Sequence, residues 1–290
     1  MKNAPYLAAI DYSKRILEIG PLANPLVPKE KGPDIYYADI RPTEEIKKFY
    51  AKDPSVDCES IQKIDFVISD SYHAATIDRG LPKFDYVVGS HIIEHIPLLL
   101  RFFHDMSTVL VEKGRLCLTI PDHRYCFDHY RVPTSFAELY DIDVHGMKRL
   151  SARVLDFMMN TSHNDPKKYW HMKIDDEINS LVDLSKKSFE YAKKSYEKVL
   201  AGEYVDVHFS VFTTISFLRL IFDTIRANML PFKVGAVFPT LPNTFEFHAV
   251  LVKNEQMISD PTIRNDELKR ILLIINKIMI FESKLLQLNP

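Results

Sequence analysis

The first regular pattern in the chain is Arg15-Ile16-Leu17-Glu18-Ile19-Gly20, a short apolar run stopped by glycine. A parallel strand buried on both faces and entering a loop reads this way. Similar runs recur at Ile35 to Asp39, Asp65 to Ser69, Phe84 to Ser90 and Arg115 to Ile120, each followed by a polar or turn residue. Between the last two, Pro97 to Val111 carries Leu99, Phe102, Phe103, Met106 and Leu110 at helical spacing, with Pro97 suited to the first turn and Gly114 as a stop. Strands alternating with helices predict βαβ units, a mostly parallel sheet and a ligand site at the carboxyl ends of its strands.

The alternation breaks after Pro121. Positions 122–204 predict no strand but two helical segments, Met147 to Asn160 and Asp176 to Leu200, and this stretch reads as a helical insertion. Alternation returns with a strand at Val205 to Phe212 and a helix at Ser216 to Ala227. Two strands, Phe232 to Phe238 and Phe245 to Val252, then flank a Pro-Thr-Leu-Pro-Asn turn and predict a C-terminal antiparallel hairpin. The expected division is a catalytic domain over 1–254 and a helical extension over 255–290. In the extension, Leu268, Leu272, Ile275, Met279 and Leu286 form a nearly heptad stripe interrupted by Glu282. Such a helix docks on its own domain, or else offers a homo-oligomer contact.

Composition narrows the function classes. The 37 Lys and Arg against 39 Asp and Glu give a net charge of -2, so no general positive field holds nucleic acid. The Lys186, Lys187, Lys193 and Lys194 run is interleaved with Glu190, Tyr191 and Tyr196 and reads as a solvated amphipathic helix. Cys58, Cys117 and Cys126 form no CxxC pair, which argues against a disulfide framework and for a reducing compartment. The apolar stretch before Asp11 is too short for a signal core or a membrane span, so a cytoplasmic location is expected.

Chemistry-bearing residues gather where strands end. Glu18 and Gly20 close the first strand, and Asp39 closes the second about twenty residues later. At that separation an acidic side chain meets ribose hydroxyls while the glycine lets a ligand approach the first turn. Asp70 follows the third strand. The richest stretch, Asp122-His123-Arg124-Tyr125-Cys126-Phe127-Asp128-His129-Tyr130-Arg131, leaves the fifth strand with two Asp-His pairs. His123 or His129 could serve as general base, Asp122 or Asp128 could orient an imidazole, and Arg124, Tyr125 or Arg131 could bind acceptor oxygens. His208 is a second candidate.

The succession LEIG, YYADIRP, ISDSYH, FDYVVGSHIIEHIP and EKGRLCLTIPD resembles the motif order of class I S-adenosylmethionine-dependent methyltransferases. The resemblance implies a Rossmann-like seven-stranded sheet, with the methionine moiety near Glu18, Gly20 and Pro21, ribose hydroxyls on Asp39 and adenine near Asp70 and Ser71. It also implies that Ser90 and His91 sit beside the transferable methyl. One departure stands out: Gly20-Pro21-Leu22-Ala23-Asn24-Pro25 keeps only the first glycine of the usual glycine-rich loop. LEIGPL and PDHRYCFDHYR are also similar to segments of methyltransferases from bacterial surface-polysaccharide pathways, which implies a glycan acceptor.

The expected activity is therefore O-methylation of a small-molecule or glycan acceptor. A non-catalytic methyltransferase-fold partner is the rival, motivated by the reduced glycine loop and the apolar C-terminal helix. His91-Ile92-Ile93-Glu94-His95 also matches the HxxEH pattern of zinc peptidases, but that pattern needs a helix, and here it leaves a strand and stops at Pro97. Glu94 and His95 are thus assigned to structure. His145, His163, Asp165 and His171 in the insertion fit no standard ligand spacing, and no metal is expected.

Overall fold

A computed structural model describes residues 4–288, without the side chains of residues 147, 148 and 286–288. The stripe residue Leu286 therefore has no described side chain. The elements run β1 Ile16–Ile19, β2 Ile35–Asp39, α1 Thr43–Tyr50, β3 Phe66–Val67, α2 Tyr72–Thr76, β4 Phe84–Ser90, α3 Leu99–Val109 and β5 Leu110–Pro121. Next come α4 Phe136–His145, α5 Ser151–Asn160, α6 Pro166–Trp170, α7 Ile174–Ser185 and α8 Phe189–Leu200. The chain closes with α9 Thr214–Arg226, β6 Phe232–Phe238, β7 Glu246–Lys253, α10 Gln256–Ser259 and α11 Pro261–Leu288.

The seven strands form one sheet in the order β3-β2-β1-β4-β5-β7-β6. β1 to β5 pair in parallel, and β7 runs antiparallel to both β5 and β6. This is the Rossmann-like arrangement with a terminal hairpin expected from the strand pattern. β1 sits centrally with all four residues buried: Leu17 and Ile19 pack into the main helix-covered core, and Ile16 packs on the opposite face with Tyr6 and Ile10 of the N-terminal segment and with Leu26 and Val27. The strand order reverses on either side of β1, which opens a crevice at the carboxyl edge between β1 and β4.

Two of the predicted elements differ, and the insertion holds further helices. Of Val205 to Phe212, residues 207–212 are buried, but the segment bends and, among the described residues, meets the sheet only through one parallel bridge, Phe212 to Asp122. β4 and β7 already occupy both edges of β5, so no sheet position remains beside it. The segment instead crosses the carboxyl edge, where the amides of Phe209 and Ser210 donate to the Glu94 carbonyl at 2.7 and 3.2 Å. The predicted helix Asp176 to Leu200 is two helices, since Ser188 caps α8 by accepting from the Tyr191 amide. The insertion also holds α4, opened by a Ser135–Glu138 capping box, and α6, opened by Asp165 with Pro166 in its first turn. A separate small core of Ile142, Leu150, Val154, Val199, Val207 and Phe209 holds the insertion together.

α11 packs through Ile271, Ile275 and Ile278, all buried in the main core. Its register is fixed by polar contacts as well. Glu267 accepts from the Val234 amide at 2.8 Å, and Glu282, which breaks the apolar stripe, pairs with Arg124 at 2.8 Å.

Candidate functional site

The β1 exit turns at Gly20 with φ of +64°, and a Cβ there would lie 3.3 Å from Cγ2 of Ile92. Glu18, 2% exposed, does not face this opening as a bare carboxylate. It accepts from the amides of Leu26 at 2.7 Å and Val27 at 2.9 Å, so it folds the Gly20-Pro21 loop back onto the strand. A glycine-poor loop thus keeps a fixed path through a buried charge-assisted clasp. Asp39 ends β2 with its Oδ1 accepting from the Arg41 amide at 3.0 Å. Burial pushes its carboxyl above the ordinary aspartate value, against the pull of the Arg41 amide and guanidinium. A desolvated carboxylate with only short-range backbone donors suits the two hydroxyls of a ribose, so the residues present fit a nucleoside cofactor. Asp70 is exposed, while Ser71 caps α2 by accepting from the Ala74 amide at 3.0 Å.

β4 delivers Ser90 and His91 to the same edge. His91 is held in the left-handed region at φ of +55°, a strained conformation for a side-chain-bearing residue. Its Nε2 lies 2.5 Å from Glu246 on β7, and its Nδ1 lies 3.5 Å from Glu94. Glu246 also lines a cavity of about 750 Å³ beneath α11, walled by Phe238, Leu241, Ile274, Ile278 and Phe281. Its lining is mainly apolar, with His248 among the polar groups. The His248 Nδ1 meets the Thr119 hydroxyl at 3.0 Å, and burial lowers its pKa below the ordinary histidine value.

The 122–131 segment is brought together differently from the sequence expectation. Asp122 is fully buried and orients no imidazole. It takes Arg124 through Oδ1 at 2.9 Å and Oδ2 at 2.6 Å, plus the Thr240 hydroxyl at 2.8 Å. Arg124 is consumed by Asp122 and Glu282, and the Arg131 side chain is wholly enclosed between Asp128 and Asp156 at 2.8 and 2.7 Å. Each of these two guanidiniums already holds two carboxylates, so neither is free as the acceptor-binding expectation supposed. Tyr125 stacks on Trp170 with centroids 4.0 Å apart, and the Trp170 indole donates to the Thr244 carbonyl, tying insertion to hairpin loop.

Asp128 does orient an imidazole, but that of His208 at 2.5 Å, rather than His123 or His129. His129 donates through Nδ1 to the Arg124 carbonyl at 2.5 Å and stacks on Tyr169. His123 is buried, its Nδ1 has no hydrogen-bond partner, and burial lowers its pKa below the ordinary value. Sequence reasoning missed Glu246, Asp206 and Thr240. They lie far along the chain from the groups they touch, and only the β5–β7 pairing and the crossing segment bring them in. His145 pairs with exposed Asp141, His163 stacks on Tyr169 and His171 meets Asn243, so the insertion histidines do not converge.

A methyltransferase domain model matches residues 2–172, more than half of the chain. No match to a curated protein was found. Among solved structures, the chain is 14% identical to trans-methyltransferase CalH in complex with SAH, at a TM-score of 0.39 covering 86% of this chain and 55% of that one. It is 14% identical to a SAM-dependent methyltransferase from Methanosarcina mazei (TM-score 0.41, 84% and 94% covered). It is 10% identical to magnesium protoporphyrin IX methyltransferase from Synechocystis with bound SAH (TM-score 0.38, 87% and 80% covered). The chain spans little more than half the length of the first of these relatives. With the family model covering the first five strands and the switch-point crevice, the chain belongs to the methyltransferase domain family.

Proposed function

We propose that the chain is an S-adenosylmethionine-dependent O-methyltransferase acting in the cytoplasm on a small-molecule or glycan acceptor. The observation that carries this reading is the crevice at the carboxyl edge between β1 and β4, bordered by the left-handed Gly20 at the β1 exit and the desolvated Asp39 carboxylate at the end of the neighbouring β2. Asp39 would accept from ribose hydroxyls, and Ser90 with His91 would border the reacting carbon. The cofactor supplies an electrophilic methyl on a sulfonium. The chain aligns the acceptor oxygen, excludes water and takes up the proton released from the hydroxyl. The apolar cavity that meets His91 through Glu246 is wide enough for a drug-sized body, which favours an acceptor with an apolar part. The insertion, anchored on the hairpin loop through Trp170, would close over that acceptor.

Calorimetric titration with S-adenosylmethionine and S-adenosylhomocysteine tests the cofactor assignment, followed by a methyl-transfer screen of small hydroxylated compounds and nucleotide sugars. Saturable binding with transfer to oxygen supports the reading. Failure to bind either ligand points to the non-catalytic partner instead.

A further inference from the structure

Glu94, His95 and His208 converge at the carboxyl edge, each offering one donor atom within 4.8 Å of the others. Glu94 is 1% exposed, and neither carboxylate oxygen has a hydrogen-bond partner among the described residues. Among the described residues its one neighbour in the ion-pair range is His91 Nδ1 at 3.5 Å, too long for a hydrogen bond of ordinary geometry. A carboxyl group enclosed without a hydrogen-bond partner is desolvated at a cost that a bound cation would offset.

The two imidazoles are prepared in the opposite sense. His95 Nδ1 lies 3.1 Å from Asp206, and His208 Nδ1 lies 2.5 Å from Asp128. A carboxylate at Nδ1 keeps the proton on that nitrogen and leaves the Nε2 lone pair for another partner, which is the outer arrangement found behind metal-ligating histidines. Both carboxylates are themselves fixed, Asp128 by Arg131 at 2.8 Å and Asp206 by the Tyr204 hydroxyl at 3.1 Å. The two rings meet edge to face with centroids 4.6 Å apart.

We propose that Glu94, His95 and His208 bind a divalent transition-metal cation. Two imidazoles and a carboxylate suit Zn²⁺, Mn²⁺, Fe²⁺ or Co²⁺ better than Ca²⁺ or Mg²⁺, which prefer all-oxygen sites. Ligands at about 2.1 Å from a tetrahedral ion lie roughly 3.4 Å apart, so modest side-chain rotations draw the three donors onto one centre. The site is not the peptidase arrangement of the HxxEH pattern. There the two histidines of the motif are ligands and the glutamate is a base, whereas here His91 Nε2 is taken by Glu246 and Glu94 itself joins the ligand set.

Three protein ligands leave a coordination position open. Resting on the methyltransferase reading, that position would take the acceptor hydroxyl and ease transfer of its proton to a basic side chain at the carboxyl edge. The oxygen would then form its bond to the methyl carbon as the carbon–sulfur bond breaks and the neutral thioether leaves.

The test uses the full chain stripped with a chelator and titrated with Co²⁺, Zn²⁺ and Mn²⁺ separately, with neither cofactor nor acceptor present. One equivalent is expected to bind, with Co²⁺ developing the visible absorption of a low-coordinate site containing imidazole nitrogen. Glu94→Gln and His208→Ala should abolish saturable binding, and Asp206→Asn should weaken it by about 10–100-fold. Absence of saturable binding by the native chain overturns the proposal, as does unaltered binding in both ligand variants. X-ray absorption on the native Co²⁺ protein counts imidazole ligands independently of any variant, and a shell without histidine nitrogen likewise overturns it. Because no methyl donor enters the measurement, its failure would leave the cofactor assignment standing, and loss of cofactor binding would leave the metal site standing.

Discussion

Asp128 Oδ2 lies 2.5 Å from Nδ1 of His208, joining two buried residues eighty positions apart across the carboxyl edge of the sheet. The same aspartate receives Arg131, which also pairs with Asp156. The insertion, the β5 exit and the crossing segment are therefore tied through one carboxylate. Asp128→Ala leaves His208 and a wholly enclosed guanidinium short of a partner, and is expected to cost about 3 kcal/mol of stability, since breaking a buried pair strands the remaining charge. Denaturant unfolding measures it, and a midpoint equal to the parent's would show that the network contributes no net stability.

Asp39 makes a prediction in both affinity and pH. If its carboxylate accepts from ribose hydroxyls, Asp39→Ala weakens cofactor binding by roughly 1–3 kcal/mol. Burial raises its pKa in the free protein above the ordinary aspartate value. The ionised form is the acceptor, so affinity is full above that raised pKa and falls as pH drops through it. The stability sign is opposite: between the ordinary and the raised value the folded state holds the proton more tightly than the unfolded chain, so this residue subtracts stability as pH rises through the window. Titration calorimetry at several pH values is the check, and Asp39→Asn should remove the acid-side dependence while the parent keeps it.

The parallel strands were legible because β1, β2 and β4 are short apolar runs closed by polar or turn residues, a pattern that survives without tertiary knowledge. Gly20 and Asp39 could be marked as strand-end candidates for the same reason, whereas Ser90 and His91 came only from the family resemblance. The partners of the 122–131 segment were not legible. Local spacing suggests that Asp122 and Asp128 serve the histidines beside them, yet a loop leaving a strand points neighbouring side chains apart. Asp122 meets Thr240, and Asp128 meets His208, only after β7 inserts beside β5 and the crossing segment passes over both. Val205 to Phe212 carried a strand pattern because residues 207–212 are buried, but whether such a segment finds a sheet edge depends on which edges are already occupied.

Glu282 looked like a fault in the apolar stripe of α11. Its pairing with Arg124, which bridges to buried Asp122, makes it a latch between the C-terminal helix and the β5 exit. A double-mutant cycle with Arg124→Ala and Glu282→Ala should give a coupling of about 1–2 kcal/mol, larger than for an exposed pair because both side chains are mostly enclosed. A coupling near zero would leave the helix attachment to the Glu267–Val234 contact and the apolar contacts of Ile271, Ile275 and Ile278.

The two histidines of the 122–131 segment are separable by experiment. His129 is engaged through Nδ1 with the Arg124 carbonyl and sandwiched against Tyr169, whereas His123 has an Nδ1 with no partner and a pKa lowered by burial. A neutral imidazole with an uncommitted nitrogen is the better proton acceptor at neutral pH, so His123→Gln is expected to lower turnover by about 10²–10⁴-fold while cofactor affinity stays unchanged. His129→Gln should act mainly through the Tyr169 stack and cost far less turnover. The parent's rate should hold as pH falls through the ordinary histidine value and decline only below it, because the acid limb follows the lowered pKa of His123. A His123→Gln variant with full activity on the correct acceptor would remove His123 from the chemistry and pass the proton to another group at the carboxyl edge.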